Sequence, residues 1–143
     1  YKMITIRELH KSDSNILRDV NLLIPYLASV KPLSSPSFKD ILNVKDIHFV
    51  AAQDGKKTIG VGSLVVMRTI LGVRARIEDV VIDEAYRGRG LGEKLSRKLI
   101  QIARKEKARN IELASRPSRV GANKLYQKLG FKQKETNVYR LNL

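Results

Sequence analysis

The opening of the chain alternates. Ile4 and Ile6 fall between Met3, Thr5 and Arg7, a period of two that predicts a short strand over Met3–Glu8. The period then lengthens. Ile16, Leu17, Val20, Leu23, Ile24 and Leu27 form one apolar stripe, which predicts a helix capped by Asp13 or Ser14 and running to Tyr26, with Pro25 ending or kinking it. Lys31–Ser37, with its prolines and serines, reads as a loop, and a short helix is expected over Phe38–Val44.

From His48 the pattern changes again. The apolar runs His48–Ala52 and Thr58–Val66 flank Gln53-Asp54-Gly55-Lys56-Lys57, and Asp-Gly between two such runs predicts a hairpin. A third strand is expected over Arg74–Ile82, after the break at Gly72. A helix over Leu91–Lys107, a strand over Ile111–Ala114 and a helix over Arg119–Leu129 follow, then two closing strands at Phe131–Gln133 and Asn137–Leu141. With no repeats, low-complexity tracts or linkers, this order predicts one α+β or α/β domain over residues 1–143, built on a central mixed sheet.

Composition narrows the chemistry. The chain has no cysteine, which excludes disulfides, thiolate catalysis and Cys-based zinc sites and suits a cytoplasmic location. His10 and His48 are the only histidines and lack ligand-like spacing, so no metal is expected. No apolar run approaches the roughly 18 residues of a membrane span, and the opening residues from Tyr1 show no signal-peptide pattern. Lysine and arginine number 28 against 14 acidic residues, a net charge of +14. Such a field draws anions, nucleic acid among them, but the basic residues are spread along the chain. Even the densest run, Arg104-Lys105-Glu106-Lys107, is broken by an acid and reads as a solvated helix face.

The most informative segment is Val80-Val81-Ile82-Asp83-Glu84-Ala85-Tyr86-Arg87-Gly88-Arg89-Gly90-Leu91-Gly92. An apolar strand runs into a glycine-rich turn, and the turn opens a helix with Leu91, Leu95, Leu99, Ile102 and Ala103 on one side. Alternate glycines at 88, 90 and 92 let the backbone bend and approach a ligand closely. The first helical turn leaves N–H groups without internal partners at the electropositive end of the macrodipole, so a pyrophosphate there accepts several hydrogen bonds, and Arg87 and Arg89 add charge. No Gly-Lys-Ser/Thr closes the turn as in a Walker loop, and G-x-G-x-G is not the dinucleotide fingerprint. An ordinary tight strand-to-helix connection would not require three glycines and two arginines.

Arg87-x-x-Gly90-x-Gly92 after an apolar strand resembles the acetyl-CoA pyrophosphate loop of the GCN5-related N-acetyltransferase (GNAT) superfamily. Ala122-Asn123-Lys124-Leu125-Tyr126-Gln127-Lys128-Leu129-Gly130-Phe131 is similar to that family's late helix-and-strand motif, and Ile77–Ile82 to its central strand. The resemblance covers roughly residues 48 to 141. It implies a GNAT fold: a central mixed, mostly antiparallel twisted sheet of about six to seven strands flanked by about four helices. It also implies an enzyme using acetyl-CoA as cosubstrate and an amine as acceptor, with direct attack on the thioester in a ternary complex. The N-terminal third matches only in element order, and in the family it usually carries acceptor specificity.

The same resemblance suggests roles. Backbone N–H groups of Val80, Val81 and Ile82 would serve the developing oxyanion where the central strand bulges, although Val-Val-Ile also suits any buried strand. Tyr126 lies at the edge of the stripe formed by Ala122, Leu125 and Leu129, with Asn123 three residues earlier on the same flank. Tyr126 is then the candidate acid for the leaving thiolate and Asn123 a partner for the pantetheine arm; a core tyrosine is the alternative. Glu78 and Asp79 point to opposite faces and one of them should reach the acceptor; Glu78 is favoured as base or relay because it shares the parity of Val80 and Ile82, with an ion pair to Arg74 or Arg76 the competing reading. Arg116 and Arg119, in the loop around Pro117, are candidates for the cofactor's ribose phosphate or an acidic acceptor. Two further classes stay open: a basic nucleic-acid-binding module and a CoA-binding regulator without turnover. Homodimerisation is compatible with the resemblance.

Overall fold

A computed structural model describes residues 3–143; Tyr1 and Lys2, the first two residues of the opening segment inspected for a signal peptide, lie outside the described residues. Five strands form one sheet in the order β1-β2-β3-β4-β5: β1 Ile4–Leu9, β2 Ile47–Asp54, β3 Lys57–Thr69, β4 Gly72–Ile82 and β5 Ile111–Glu112. The first four pair antiparallel and β5 pairs parallel to β4, so the sheet is mixed and mostly antiparallel, as expected. The helices are α1 Ser14–Leu23, α2 Ser35–Asn43, α3 Leu91–Lys105 and α4 Val120–Lys128.

Local chemistry explains most boundaries. Asp13 caps α1 by accepting from Ile16 N–H at 2.7 Å, and Pro25 converts the expected last turn into a 3-10 turn over Ile24–Tyr26. α2 begins three residues before the expected start, because Ser34 supplies a side-chain cap and Pro36 sits in the first turn, where its missing N–H costs nothing. Gly55 takes φ +61° in the β2–β3 hairpin.

α3 covers one face of the sheet. Leu95 and Leu99 are fully buried there against Val50, Leu64, Val66, Ala75 and Ile77, each contributing about 1.5–3 kcal/mol of burial. α1 and α2 cover the other face, where Ile16, Val20, Leu23 and Phe38 meet Phe49, Ala51, Val61 and Val81. Gly62 of β3 sits directly beneath α3: a Cβ there would lie 2.5 Å from Leu95 Cδ2 and 3.2 Å from both Leu99 Cδ1 and Val80 Cγ2. The helix therefore approaches the sheet as closely as it does only because position 62 has no side chain.

The strand count differs from expectation. The two closing strands, Phe131–Gln133 and Asn137–Leu141, are not formed among the described residues: the sheet ends at β5, and no neighbouring strand accepts their backbone bonds. Phe131 packs on the core and its N–H donates to Tyr126 O at 2.9 Å, after which the chain runs exposed to Leu143.

Candidate active site

The pairing of β3 with β4 slips in the middle. Val61 faces Val81 and Ser63 faces Glu78, so Gly62 alone opposes both Asp79 and Val80. That is a bulge, and its extra residue, Asp79, stands at φ +57°, a conformation that aspartate tolerates better than most side chains. Strand parity inverts across it. Glu78 and Val81 share one face, opposite Ser63 and Val61, while Val80 and Ile82 turn to the α3 face and pack on that core. Glu78 therefore does not share the face of Val80 and Ile82, because an inserted residue shifts every side chain beyond it to the other face.

Glu78 is instead engaged by Arg76, whose Nε donates to its carboxylate at 2.9 Å, the competing reading of this residue. Asp79 has no such partner among the described ion pairs. Crowding by the surrounding protein, and then the negative charge of Glu78, raise its pKa above the ordinary 3.8.

A second departure opens the sheet. β4 and β5 pair only through Ala75–Ile111 and Arg76–Glu112. Beyond Arg76 the β5 side of β4 has no strand partner, and the chain after Glu112 leads away to α4. A cleft of about 540 Å³ occupies the gap. Val80, Val81 and Ile82 form one wall, Arg87, Gly88, Gly90, Leu91 and Gly92 a second, and Arg119, Gly121, Ala122, Leu125 and Tyr126 a third, with Tyr26 at the rim.

The glycine turn is built for backbone exposure. Gly88 and Gly90 take φ +79° and +75°, and Gly90 is the N-cap of α3. Having no side chain, it leaves the first-turn amides of α3 uncapped, a cluster of donors at the positive end of the helix. Gly92 is helical, and a Cβ there would meet only Leu125 Cδ2 at 3.5 Å. The turn is anchored from behind: Tyr86 donates its hydroxyl proton to Asp54 Oδ2 at 2.6 Å, tying it to the β2–β3 hairpin. Arg87 donates to Ile82 O at 3.0 Å and stacks over Tyr26 at 4.9 Å, which holds its charge in the cleft wall. Arg89 points elsewhere, stacking on Tyr86 at 5.0 Å, and does not line the cleft. Glu93, the acid of the first helical turn, is held ionised, its pKa lowered by hydrogen bonds from Lys128 and Arg97; the Lys128 contact also joins α3 to α4.

On α4, Tyr126 is buried, with Phe131 packed edge-on at 5.8 Å. Burial raises its pKa above 10, opposed only by the charge of Arg119, so the phenol keeps its proton at neutral pH. The residue lines the cleft. Asn123 does not line it. Its amide donates to Arg116 O and Arg119 O, both at 2.8 Å, so it fixes the loop from which Arg119 enters the cleft.

Of the residues singled out from sequence, Val80, Val81, Ile82, Arg87, Gly88, Gly90, Leu91, Gly92, Arg119 and Tyr126 thus meet in one cleft, whereas Glu78, Asp79, Arg89, Arg116 and Asn123 stand outside its lining. Tyr26 and Tyr86 were missed; a single tyrosine beside Pro25 and another inside a turn carry no periodic signal. His48 lies between carboxylates, Nδ1 at 2.7 Å from Glu8 and Nε2 at 3.3 Å from Glu106, and so joins β1 and β2 to the end of α3. No group of three or more potential metal ligands occurs among the described residues, and no helix there is long and apolar enough to cross a membrane.

Comparison with known proteins places this geometry. The model of the acetyltransferase (GNAT) family matches residues 15–131. The chain is 30% identical to a glucosamine 6-phosphate N-acetyltransferase of Trypanosoma brucei brucei, covering 98% of this chain and 96% of that protein. It is 39% identical over 61 residues to an uncharacterized N-acetyltransferase of Methanocaldococcus jannaschii, a match that takes in 43% of this chain and 27% of that protein. The crystal structure of a Trypanosoma brucei acetyltransferase superposes with a TM-score of 0.80 at 28% identity, over 99% of this chain and 100% of the other. The chain belongs to the acetyltransferase (GNAT) family and is an N-acetyltransferase with acetyl-CoA as its cosubstrate.

Proposed function

We propose that the diphosphate of acetyl-CoA seats on the amides of Gly88–Gly92, with Arg87 beside it, and that the pantetheine arm runs along β4 between Val80–Ile82 and α4. The observation that carries this is a single cleft joining an uncapped helix start, a bulged strand without a partner on that side, and the side chain of Tyr126. Diphosphate at such a helix start gains several charge-assisted hydrogen bonds at once. The thioester then lies near the bulge, where main-chain N–H groups of the Val80–Ile82 segment can receive the developing oxyanion in an apolar setting.

The neutral amine attacks the carbonyl carbon. A C–N bond forms, the C–S bond breaks, and the electron pair leaves on sulfur. Tyr126 gives its proton to that thiolate, a role its raised pKa suits, since the phenol stays protonated until the transition state. The proton lost by the amine passes toward the carboxylates flanking the bulge. We assign this relay to Asp79, which adjoins the cleft-lining Val80 in the bulge although it does not itself line the cleft, rather than to Glu78, which is committed to Arg76.

The acceptor we infer is a small primary amine bearing an anionic group, an amino-sugar phosphate being the model case. The activity named for the trypanosomal relative and the net charge of +14 both favour it. The reaction is assigned to the cytoplasm, because a cysteine-free chain gains nothing from an oxidising compartment. Thiol release from acetyl-CoA across amino-sugar phosphates, uncharged amino sugars and basic peptides tests the reading. Fastest turnover with the phosphorylated amine supports it; turnover only with peptides overturns the acceptor assignment, and none with any amine favours a regulator without chemistry.

A further inference from the structure

The β3–β4 hairpin ends in water on two aliphatic side chains. Thr69 pairs with Gly72, so Ile70 and Leu71 are the two residues of a tight turn. Such positions usually hold glycine, asparagine or aspartate, which satisfy the turn locally. Here the turn closes without them: Gly72 takes φ +104°, and Leu71 N–H donates to Thr69 Oγ1 at 3.3 Å. Ile70 and Leu71 are 102% and 60% exposed, and neither packs on either core cluster. Nothing in the folding of the hairpin calls for them.

Their surroundings are cationic and braced. Arg68, just before the turn, ion-pairs with Asp46 at 3.2 Å and Glu106 at 3.3 Å, which ties the hairpin to the residue before β2 and to the end of α3. Glu106 also faces His48. The acids of this end are thereby engaged, while Lys45, Lys105, Lys107 and Arg109 are exposed and have no ion-pair partner among the described residues. Lys107 stands at φ +60° where α3 stops: its N–H donates to Arg104 O and that of Ala108 to Ala103 O, and the position is one that glycine commonly fills. Arg109 N–H donates to Val73 O at 3.0 Å, which sets it beside the tip. At one end of the molecule, two turns thus carry residues that local folding does not favour, aliphatic bulk in one and positive charge in the other.

We propose that Ile70 and Leu71, with the cations beside them, dock the protein on an anionic phospholipid bilayer. The two side chains enter the boundary between headgroups and acyl chains, and the lysines and arginine meet the phosphates, two weak attractions that act together. Aliphatic side chains gain by leaving water for hydrocarbon, whereas a single-stranded nucleic acid would be met with aromatic or planar groups that stack on bases. Docking leaves the cleft open, because the cleft lies at the start of α3 and this 15-residue helix is about 22 Å long. None of the docking residues lines the cleft, so the surface stands or falls apart from the acetyl-transfer reading.

Co-sedimentation of the full 143-residue chain with phosphatidylcholine vesicles, with and without phosphatidylglycerol, tests this. The chain should bind the anionic vesicles and leave the neutral ones. Ile70→Ser combined with Leu71→Ser should weaken that binding about tenfold or more, the equivalent of two aliphatic side chains kept in water, with melting temperature and CoA affinity unchanged. Because the chain has no cysteine, Ile70→Cys can carry a single environment-sensitive fluorophore. Its emission should shift to the blue on anionic vesicles, and that of the same label at Lys56→Cys, on the β2–β3 hairpin, should not. Three results overturn the proposal: no binding to anionic vesicles; equal binding by the parent and the double variant, which reduces the contact to the field of a chain of net charge +14; and tip-dependent binding to RNA without binding to vesicles, which makes this a nucleic-acid surface.

Discussion

Gly62→Ala is the sharpest probe of how the fold builds the cleft. The added methyl would stand 2.5 Å from Leu95 Cδ2 and 3.2 Å from Leu99 Cδ1 and Val80 Cγ2. Leu95 and Leu99 are both fully buried, so neither can swing into solvent to make room. Relief requires off-rotamer leucines or a shift of α3 away from the sheet, the kind of overpacking that costs about 1–3 kcal/mol. In a chain of this size that corresponds to a fall in melting temperature of roughly 2–4 °C per kcal/mol. Val80 would be displaced with the helix, so CoA affinity should fall along with stability. Denaturant unfolding of Gly62→Ala, Leu95→Ala and the double variant gives the decisive comparison. Leu95→Ala alone should cost about 2–5 kcal/mol through its cavity, but the double variant should be less destabilised than the sum by more than about 0.5 kcal/mol, because the new methyl fills that cavity. Additive costs, or a Gly62→Ala chain as stable as the parent, would refute the close approach of α3.

Other outcomes follow from the site. Tyr126→Phe should lower kcat by about 100-fold or more with little change in the Kd of CoA; an equal loss in both would make the tyrosine a packing residue. Gly90→Ala forces a β-carbon onto φ +75°, costing about 1–2 kcal/mol of stability, and should weaken CoA binding, whereas helical Gly92→Ala should fold at least as well as the parent; thermal melts of both decide. For Asp79 the sign is the reverse of the usual carboxylate. With its folded pKa above 3.8, the native state holds the proton more tightly than the unfolded chain, so its contribution to stability is present below 3.8 and lost as pH rises through the folded value. Asp79→Asn should therefore be more stable than the parent at neutral pH, an advantage that shrinks in acid, and should slow the reaction if Asp79 relays the proton; stability that is pH-independent relative to the parent contradicts the shift.

Much of this was legible in the sequence because it is local. The Asp54-Gly55 hairpin, the Asp13 cap, the α3 stripe and the glycine turn each depend on residues a few positions apart. Part of what escaped depends on pairing between distant segments. The slip at Gly62 is a property of two strands, and nothing in Ile77–Ile82 marks Asp79 as the inserted residue, so an argument from uninterrupted alternation put Glu78 on the wrong face. Helical spacing put Asn123 on the flank of Tyr126, but its amide donates to the carbonyls of Arg116 and Arg119, partners a helical wheel cannot display, and the residue does not line the cleft. The closing strands were read from short apolar-bearing segments at the chain's end, and such segments name no partner strand. Arg89 is a local exception: its guanidinium stacks on the ring of Tyr86, three residues earlier, and does not line the cleft.

The central claim is that an anionic cofactor is received by main-chain amides at the start of α3 and by the unpaired side of β4. Titration of 15N-labelled protein with CoA, followed amide by amide, addresses it most directly. The account predicts saturable shifts concentrated at Gly88, Gly90, Leu91 and Gly92 and at Val80–Ile82, weakened in Gly90→Ala. Saturable binding that leaves those amides unmoved, or no binding by folded protein, would contradict it.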